Sequence, residues 1–352
     1  MTAAASRRAP GATALVDRER LLALVARFAS RRVAVIGDFI ADEFIYGRVA
    51  RVSREAPVLI LEYDRTLVVP GGAGNAANNV AALGARTRAI GLVGRDETGD
   101  RLMAALDPRV EPRGLVRSRE HETPTKTRIL AGGVHSAKQQ VVRIDRGTRR
   151  TASRSERAAF ARAALARVGR VDAVLVSDYG AGLVTPALVG EITRAVRGGA
   201  RRAEVPVLVD SRYDLGRYRR LTACTPNESE VEALLGVTID DDPRVLERAG
   251  REMLARTGMR IVLITRGSRG MALFEVDQPT RHIAIYGSDE IADVTGAGDT
   301  VIATMTLALA AGAAALDAAR LANYAGGLVV MKRGTATVSA DELSRAIAED
   351  LR

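Results

Sequence analysis

The run RVAVIGDFIADEF, residues 32–44, decides the fold class. Its first half, Val33-Ala-Val-Ile36, is an unbroken apolar stretch dominated by β-branched residues and closed by Gly37. A strand with one solvated face alternates, and this one does not, so it predicts a strand buried on both faces. The same composition recurs at DAVLVS (172–177), VPVLVD (205–210), LTACTP (221–226) and RIVLIT (260–265). Helical patterns separate these runs, which predicts a mostly parallel sheet covered by helices on both sides.

Two segments break the rhythm. Residues about 44–70 and about 110–146 carry strand-like alternation with no helix between the strands, as a small antiparallel sheet beside the main one requires. They read as a lid inserted into one domain over 15–352. Residues 1–14 are small, basic and aperiodic, and are expected to form a disordered tail before a helix at Asp17 to Phe28.

The chain has 352 residues, 47% hydrophobic and 27% charged, enough to bury a large core. Net charge is +10, yet the basic residues are scattered through the helical patterns. Lys126, Lys138 and Lys332 are the only lysines, so the excess is an arginine skew of the kind GC-rich codon usage gives; no nucleic-acid partner is expected. Cys224 is the single cysteine, and His121, His135 and His282 are the only histidines, which leaves neither a disulfide framework nor a Cys/His zinc site. The first twenty residues contain no apolar run of signal length, so a cytoplasmic setting is expected. The uncharged stretch Thr300 to Leu316 is Ala-rich, contains Gly312 and is too short to span a bilayer; it reads as a buried helix, and no membrane partner is expected.

DVTGAGDT, Asp293 to Thr300, carries the strongest chemical signal. Gly296 and Gly298 let backbone amides turn inward at a helix start, where the partial positive charge stabilises a phosphate. Asp299 then sits beside that anion site, as a base for an alcohol undergoing phosphoryl transfer would. The competing reading is a glycine turn with Asp299 as a plain N-cap. In PGGAGNAANNVAALGA, 70–85, Asn75 and Asn79 fall four apart on one helix face and suit sugar hydroxyls. Gly72, Gly74 and Ala77 also satisfy a dinucleotide-type GxGxxA frame. That frame does not open the first β-α unit, and no acid closes a second strand about twenty residues on, which favours the sugar reading.

Asp38 and Asp42 emerge at the carboxyl end of the first core strand, where open α/β sheets bind ligands. TPNESE places Asn227 and Glu230 where both could face Mg²⁺ on nucleotide phosphates, often through water. ITRGSRG, 264–270, reads as strand, glycine turn, strand; it serves as a floor for ATP or as a simple hairpin. No Gly-Lys dipeptide exists, so a P-loop is excluded, and the protein-kinase HRD and DFG elements are absent.

With these motifs in place, residues about 30–350 resemble the ribokinase or PfkB carbohydrate kinase family. The GG…N…N segment matches its amino-terminal signature and DVTGAGDT its carboxy-terminal one. YGRVARVSREAPVLIL (46–61), VSDYGAG (176–182), CTPNESE (224–230) and KRGTATVS (332–339) look most like the bacterial D-glycero-β-D-manno-heptose 7-phosphate kinases. No cytidylyltransferase-like HxGH segment follows, so the kinase alone is expected rather than a fused synthase.

The resemblance implies a ribokinase-like three-layer α/β/α fold with a small β-sheet lid. It implies Asp299 as base, with Gly296, Ala297 and Gly298 as anion hole. Asp38, Gly71, Gly72, Asn75, Asn79 and Asp178 would serve the sugar. Asn227 and Glu230 would organise Mg²⁺ and ATP, while Thr265, Gly267, Gly270 and Asn323 would line the nucleotide. Family members use the lid as a clasp between two subunits, implying a homodimer, and some bind a monovalent cation such as K⁺ near the motif holding Asp293. One departure stands out: relatives have a lysine in DYGKG where this chain has Ala181. Either Lys126, Arg128 or Arg143 from the lid supplies the charge for the substrate phosphate, or the substrate is another phosphosugar or an unphosphorylated sugar.

Overall fold

A computed structural model describes residues 12–132, 138–147, 151–198, 204–287, 294–332 and 334–351. Its strands are β1 Arg32–Gly37, β2 Phe39–Val52, β3 Leu59–Gly72, β4 Arg86–Gly94, β5 Val110–Ser118, β6 Thr125–Gly132, β7 Gln139–Arg146, β8 Ala173–Asp178, β9 Val207–Ser211, β10 Ala223–Cys224, β11 Ile261–Thr265, β12 Met271–Glu275 and β13 Arg281–Ile283. Its helices are α1 Ala12–Ala26, α2 Ala73–Ala82, α3 Glu97–Ala104, α4 Arg154–Arg167, α5 Pro186–Arg197, α6 Glu228–Leu235, α7 Pro243–Thr257, α8 Ala297–Ala310, α9 Ala315–Val330 and α10 Ala340–Asp350.

Nine strands form the main sheet in the order β13-β12-β11-β10-β9-β8-β1-β4-β5. Pairing is parallel from β5 to β11, and β12 and β13 join antiparallel. The unbroken apolar run of β1 has its explanation here, because alternate residues feed two cores. Val33 and Val35 belong to a core with α1, α2, α8 and α9 residues such as Leu21, Val80, Leu307 and Leu321. Ala34 and Ile36 pack on the other face with Phe160, Ile192 and Phe274. Each such large side chain, wholly buried, contributes about 2 kcal/mol through area removed from water.

Local signals set the helix ends. Ser153 and Glu156 close a capping box on α4, Ser339 and Glu342 another on α10, and Thr185 with Pro186 opens α5. Among the described residues no helix is long and apolar enough to cross a membrane; the stretch expected as one buried helix over 300–316 is a buried core helix only as far as Ala310, where a turn with Gly312 at φ +91° separates α8 from α9.

The lid is a separate sheet of order β3-β2-β6-β7, in which β2 pairs antiparallel with β3 and parallel with β6. Two boundaries differ from expectation. Residues 110–118 are not lid: as β5 they pair with β4 at the edge of the main sheet, because Val110 and Leu115 complete the core there. The lid strands also start earlier, at Phe39, whose ring is buried in the main core. At the amino end, residues 12–14 belong to α1 rather than to a tail. Residues 1–11 of the expected tail lie outside the described residues.

Candidate active site

The chain runs outward from β1 to β4 and β5, then returns to place β8 on the other side of β1. Ligands in open α/β sheets bind where strand order reverses in this way, at the carboxyl ends. Asp38 follows β1, Tyr179 follows β8, Asp210 and Arg212 mark the end of β9, Asn227 follows β10 and Thr265 ends β11. A Cβ on Gly37 would overlap the Ser177 carbonyl, so only glycine lets β1 and β8 close together at this point.

Asp299 lies in the first turn of α8 and is 5% exposed. It is not the N-cap: that position is Gly296, in the left-handed region at φ +81°, with no side-chain cap. The Asp299 carboxylate faces sideways instead. Its Oδ2 accepts a hydrogen bond from Asn75 Nδ2 at 2.7 Å and its Oδ1 accepts one from the Tyr179 hydroxyl at 3.1 Å. Burial pushes its pKa up to about 6; the two hydrogen bonds and Lys126 oppose that rise, and Asp42 adds to it. A carboxylate tuned toward neutrality suits a general base. A Cβ on Gly296 would stand 2.6 Å from Asn75 Nδ2, so glycine is required there for conformation and for closeness alike.

Asn79 does not face the sugar side. It is 0% exposed, and its Nδ2 donates to both the Asn75 carbonyl and Asn75 Oδ1 at 3.0 Å, while its Oδ1 accepts from Thr300 Oγ1 at 2.9 Å. The expected pair of sugar-binding amides is therefore corrected: Asn79 holds Asn75, and Asn75 holds the carboxylate. The anion hole is also narrower than expected, since the Ala297 N–H donates to the Val294 carbonyl at 3.2 Å. Gly298, which lines the cleft, remains at its helix-start position.

On the acceptor side, Asp38 is buried and its Oδ2 accepts from the Tyr179 N–H at 2.8 Å and the Ala181 N–H at 3.3 Å. Its Oδ1 is buried with no hydrogen-bond partner, and burial together with neighbouring Asp178 raises its pKa to about 6. An orphaned buried acceptor signals a missing donor such as a sugar hydroxyl. Gly71 lies against the Asp42 carboxylate, and Gly72 turns the chain into α2.

Three expected substrate residues are occupied elsewhere. Arg128 donates to Asp42 Oδ1 at 2.6 Å, forming a largely buried pair. Arg143 forms a two-pronged pair with Asp145 at 2.9 and 2.8 Å. Asp178 spends its carboxylate on the Gly180 N–H, the Ser211 hydroxyl and the Tyr218 hydroxyl, so it braces the loop. Lys126 differs: its Nζ lies 5.0 Å above the Tyr179 ring with no ion-pair partner among the described residues, and desolvation lowers its pKa.

On the nucleotide side an apolar slot of about 230 Å³ is lined by Thr265, Gly267, Gly270, Gly298 and Asn323, together with Val301. All four expected nucleotide residues are thus brought together. The turn at 267–269 joins the β11–β12 hairpin, the simpler of the two readings of ITRGSRG, and it also borders the slot. Asn323 Nδ2 donates to the Ala284 carbonyl at 2.8 Å and fixes one wall.

A second, polar cavity of about 130 Å³ meets the slot at Asn227, Thr265 and Gly298 and reaches Asp299. Asn227 and Glu230 form the capping box of α6, with Glu230 N donating to Asn227 Oδ1 at 2.9 Å and Asn227 N to Glu230 Oε2 at 3.0 Å. Burial raises the Glu230 pKa. Asp210 stands in the same cavity, raised well above the usual carboxylate range by burial and by the charges of Asp299, Glu230 and Asp178. Carboxylates that repel one another in a dry cavity fit a hydrated divalent cation, although no group of three or more ligating side chains forms a closed cage among the described residues.

Sequence reasoning missed Asp210, Arg212 and Tyr179. Asp210 ends the quoted run VPVLVD, so the strand-end rule that found Asp38 applied to it equally. Asp293 lies outside the described residues, as does His135.

The family profile described as pfkB family carbohydrate kinase matches residues 30–342. The bifunctional protein HldE of Geobacter sulfurreducens is 39% identical over 330 residues, 93% of this chain and 65% of that protein. The bifunctional protein HldE of Caulobacter vibrioides is 41% identical over 329 residues, with 93% and 65% covered. The chain therefore spans about two thirds of the length of these relatives. Arabidopsis thaliana ribokinase complexed with ribose and ATP superposes with a TM-score of 0.67 at 19% identity, over 90% of this chain and 98% of that one. Escherichia coli phosphofructokinase-2 in complex with fructose-6-phosphate gives 0.69 at 18% identity, over 92% and 99%, and both likenesses concern the fold. The chain belongs to the pfkB family of carbohydrate kinases, phosphotransferases that act on a sugar hydroxyl.

Proposed function

We propose that this kinase transfers the γ-phosphoryl group of ATP to the anomeric hydroxyl of D-glycero-β-D-manno-heptose 7-phosphate, giving the 1,7-bisphosphate. The carrying observation is Asp299, a carboxylate raised to about 6 between a sugar-side acid with an orphaned oxygen and a nucleotide slot. Asp299 accepts the hydroxyl proton as the new O–P bond forms, and the bond from the γ-phosphorus to the β,γ-bridging oxygen breaks. The first-turn amide of Gly298 steadies the travelling phosphoryl group. Asp210, Glu230 and Asn227 would hold Mg²⁺ through its water shell. The ion, when bound, neutralises phosphate charge. Closing the lid excludes water.

A phosphorylated acceptor is favoured by the distribution of charge. Arg128 and Arg143 are paired with carboxylates, whereas Lys126 and Arg212 make no ion pair among the described residues. These two cations would supply the charge for a substrate phosphate. The lid also supports a homodimer: every residue of β7 is exposed, including Val141, Val142 and Ile144, and Val49, Val52 and Leu59 are exposed on β2 and β3. The proposed setting is the cytoplasm, where ATP is available.

A coupled ADP-release assay over a panel of sugars, sugar phosphates and nucleosides tests the substrate. Turnover with heptose 7-phosphate at least about ten-fold above the other acceptors is expected. Turnover of a different acceptor with heptose 7-phosphate inert refutes the assignment. Unchanged ADP formation in Asp299→Ala would replace the kinase mechanism with a binding role.

A further inference from the structure

Tyr179 makes contacts that converge on the acceptor side. Its N–H donates to Asp38 Oδ2 at 2.8 Å and its hydroxyl donates to Asp299 Oδ1 at 3.1 Å. Its ring lies under Lys126 Nζ at 5.0 Å, and a Cβ on Gly72 would stand 3.4 Å from Tyr179 Cδ2. The ring therefore fills the space framed by Asp38, Gly72, Lys126 and Asp299.

An acceptor alcohol must donate its O–H to a carboxylate oxygen of Asp299. Oδ2 is held by Asn75, which is itself backed by the wholly buried Asn79. Oδ1 is held by Tyr179. Each carboxylate oxygen has a second lone pair, but the tyrosine hydroxyl already occupies the acceptor-side position on Oδ1 that an alcohol framed by Asp38 and Lys126 would use.

We propose that Tyr179 is a placeholder at the base: its hydroxyl occupies the donor position at Asp299 Oδ1 until a sugar hydroxyl displaces it, and it keeps water from taking that position. This rests on the reading of Asp299 as base. Displacement follows from the number of contacts each competitor makes. A water molecule exchanges one hydrogen bond for another and gains nothing net. A sugar also supplies the missing donor for Asp38 Oδ1 and groups for Lys126, so its combined contacts outweigh the single tyrosine bond. Lys126 belongs to lid strand β6, so a sugar that engages Lys126 removes the cation from the ring as the ring withdraws.

Without the placeholder, water reaches Oδ1. Water then forms the new O–P bond, its proton goes to Asp299, and the bridging P–O bond of ATP breaks to leave ADP and inorganic phosphate. The test is ADP release by the full chain with Mg²⁺ and ATP and no sugar. Tyr179→Phe keeps the ring and removes only the hydroxyl, and its rate is expected to rise by about ten-fold or more over the parent. Adding Asp299→Asn to that variant is expected to abolish the gain. The KM for heptose 7-phosphate in Tyr179→Phe is expected to fall, since the sugar no longer competes with the tyrosine, while a bracing role alone would lower kcat.

Sugar-free ADP release within two-fold of the parent, in a Tyr179→Phe protein with a parental thermal melt, overturns the proposal. So does a gain that survives in the double variant. Should Tyr179→Phe melt early, Tyr179→Trp, which refills the space without a hydroxyl, carries the same expectations and the same refutation. Asp299→Asn alone, assayed for transfer to heptose 7-phosphate, separates failure of the base assignment from failure of the placeholder.

Discussion

Asp299→Asn should inactivate the enzyme and stabilise the fold at neutral and alkaline pH. The carboxylate is raised from its ordinary 3.8 to about 6, chiefly by burial. A buried acid with a raised pKa binds protons more tightly folded than unfolded, so it costs nothing well below pH 4, and its cost grows as pH rises through 4 to 6. At about 1.4 kcal/mol per tenfold in proton affinity, the penalty for the charged form is about 1.5 kcal/mol at pH 5 and about 3 kcal/mol at pH 8. Asparagine removes the penalty but sets an NH₂ group against one of two donors, Asn75 or Tyr179, at about 1–2 kcal/mol.

The net effect is near zero at pH 5 and about 1–2 kcal/mol of stabilisation at pH 8. For a chain of this size that is about 2 °C of relative melting shift between the two pH values. Asp38, also raised to about 6, titrates in both proteins and cancels in the comparison. Thermal melts of both proteins at pH 5 and pH 8 read the difference, and kcat should fall by about 10²–10⁴. In the parent, kcat/KM should decline below about pH 6, as the base becomes protonated. A melting difference that is the same at both pH values, or that favours the parent more at pH 8, would refute the claim that Asp299 is held charged in a desolvated site.

Gly296→Ala should lower kcat by about ten-fold or more and cost about 1–2 kcal/mol of stability, because the new methyl meets Asn75 Nδ2 at 2.6 Å and the backbone sits at φ +81°; parental kinetics would show that Asn75 is not needed to hold the base. Arg212→Ala should raise KM for a phosphosugar by about ten-fold while sparing an unphosphorylated acceptor, since loss of one charge-assisted contact is worth about 1.5–3 kcal/mol; equal losses on both acceptors would count against a phosphate role. Val142→Asp combined with Ile144→Asp on exposed β7 should give a monomer by light scattering where a dimer is proposed for the parent, and an unchanged dimer mass would move the interface elsewhere.

Much of the site was legible because it is local. Asp38 follows the first core strand, Asp299 follows two glycines at a helix start, and Asn227 and Glu230 carry their own capping box, so each could be placed from a few neighbouring residues. The assignments that changed depended on distant partners. Asn75 reaches Asp299 across 224 positions, Asn79 reaches Thr300 across 221, and Arg128 meets Asp42 across 86. No window of sequence reports whether an amide or a guanidinium will find such a partner.

The amino-acid sequence by itself determined the doubly covered parallel sheet, because a strand buried on both faces must be apolar at consecutive positions, and it determined the glycine turn that opens α8, because both follow from neighbours in the chain. Tertiary structure alone decided that 110–118 extends the main sheet, that Lys126 and Arg212 make no ion pair among the described residues, and that the Tyr179 hydroxyl meets Asp299. Strand pairing, charge pairing and desolvation are properties of what surrounds a group in space, and folding brings those surroundings together from remote segments.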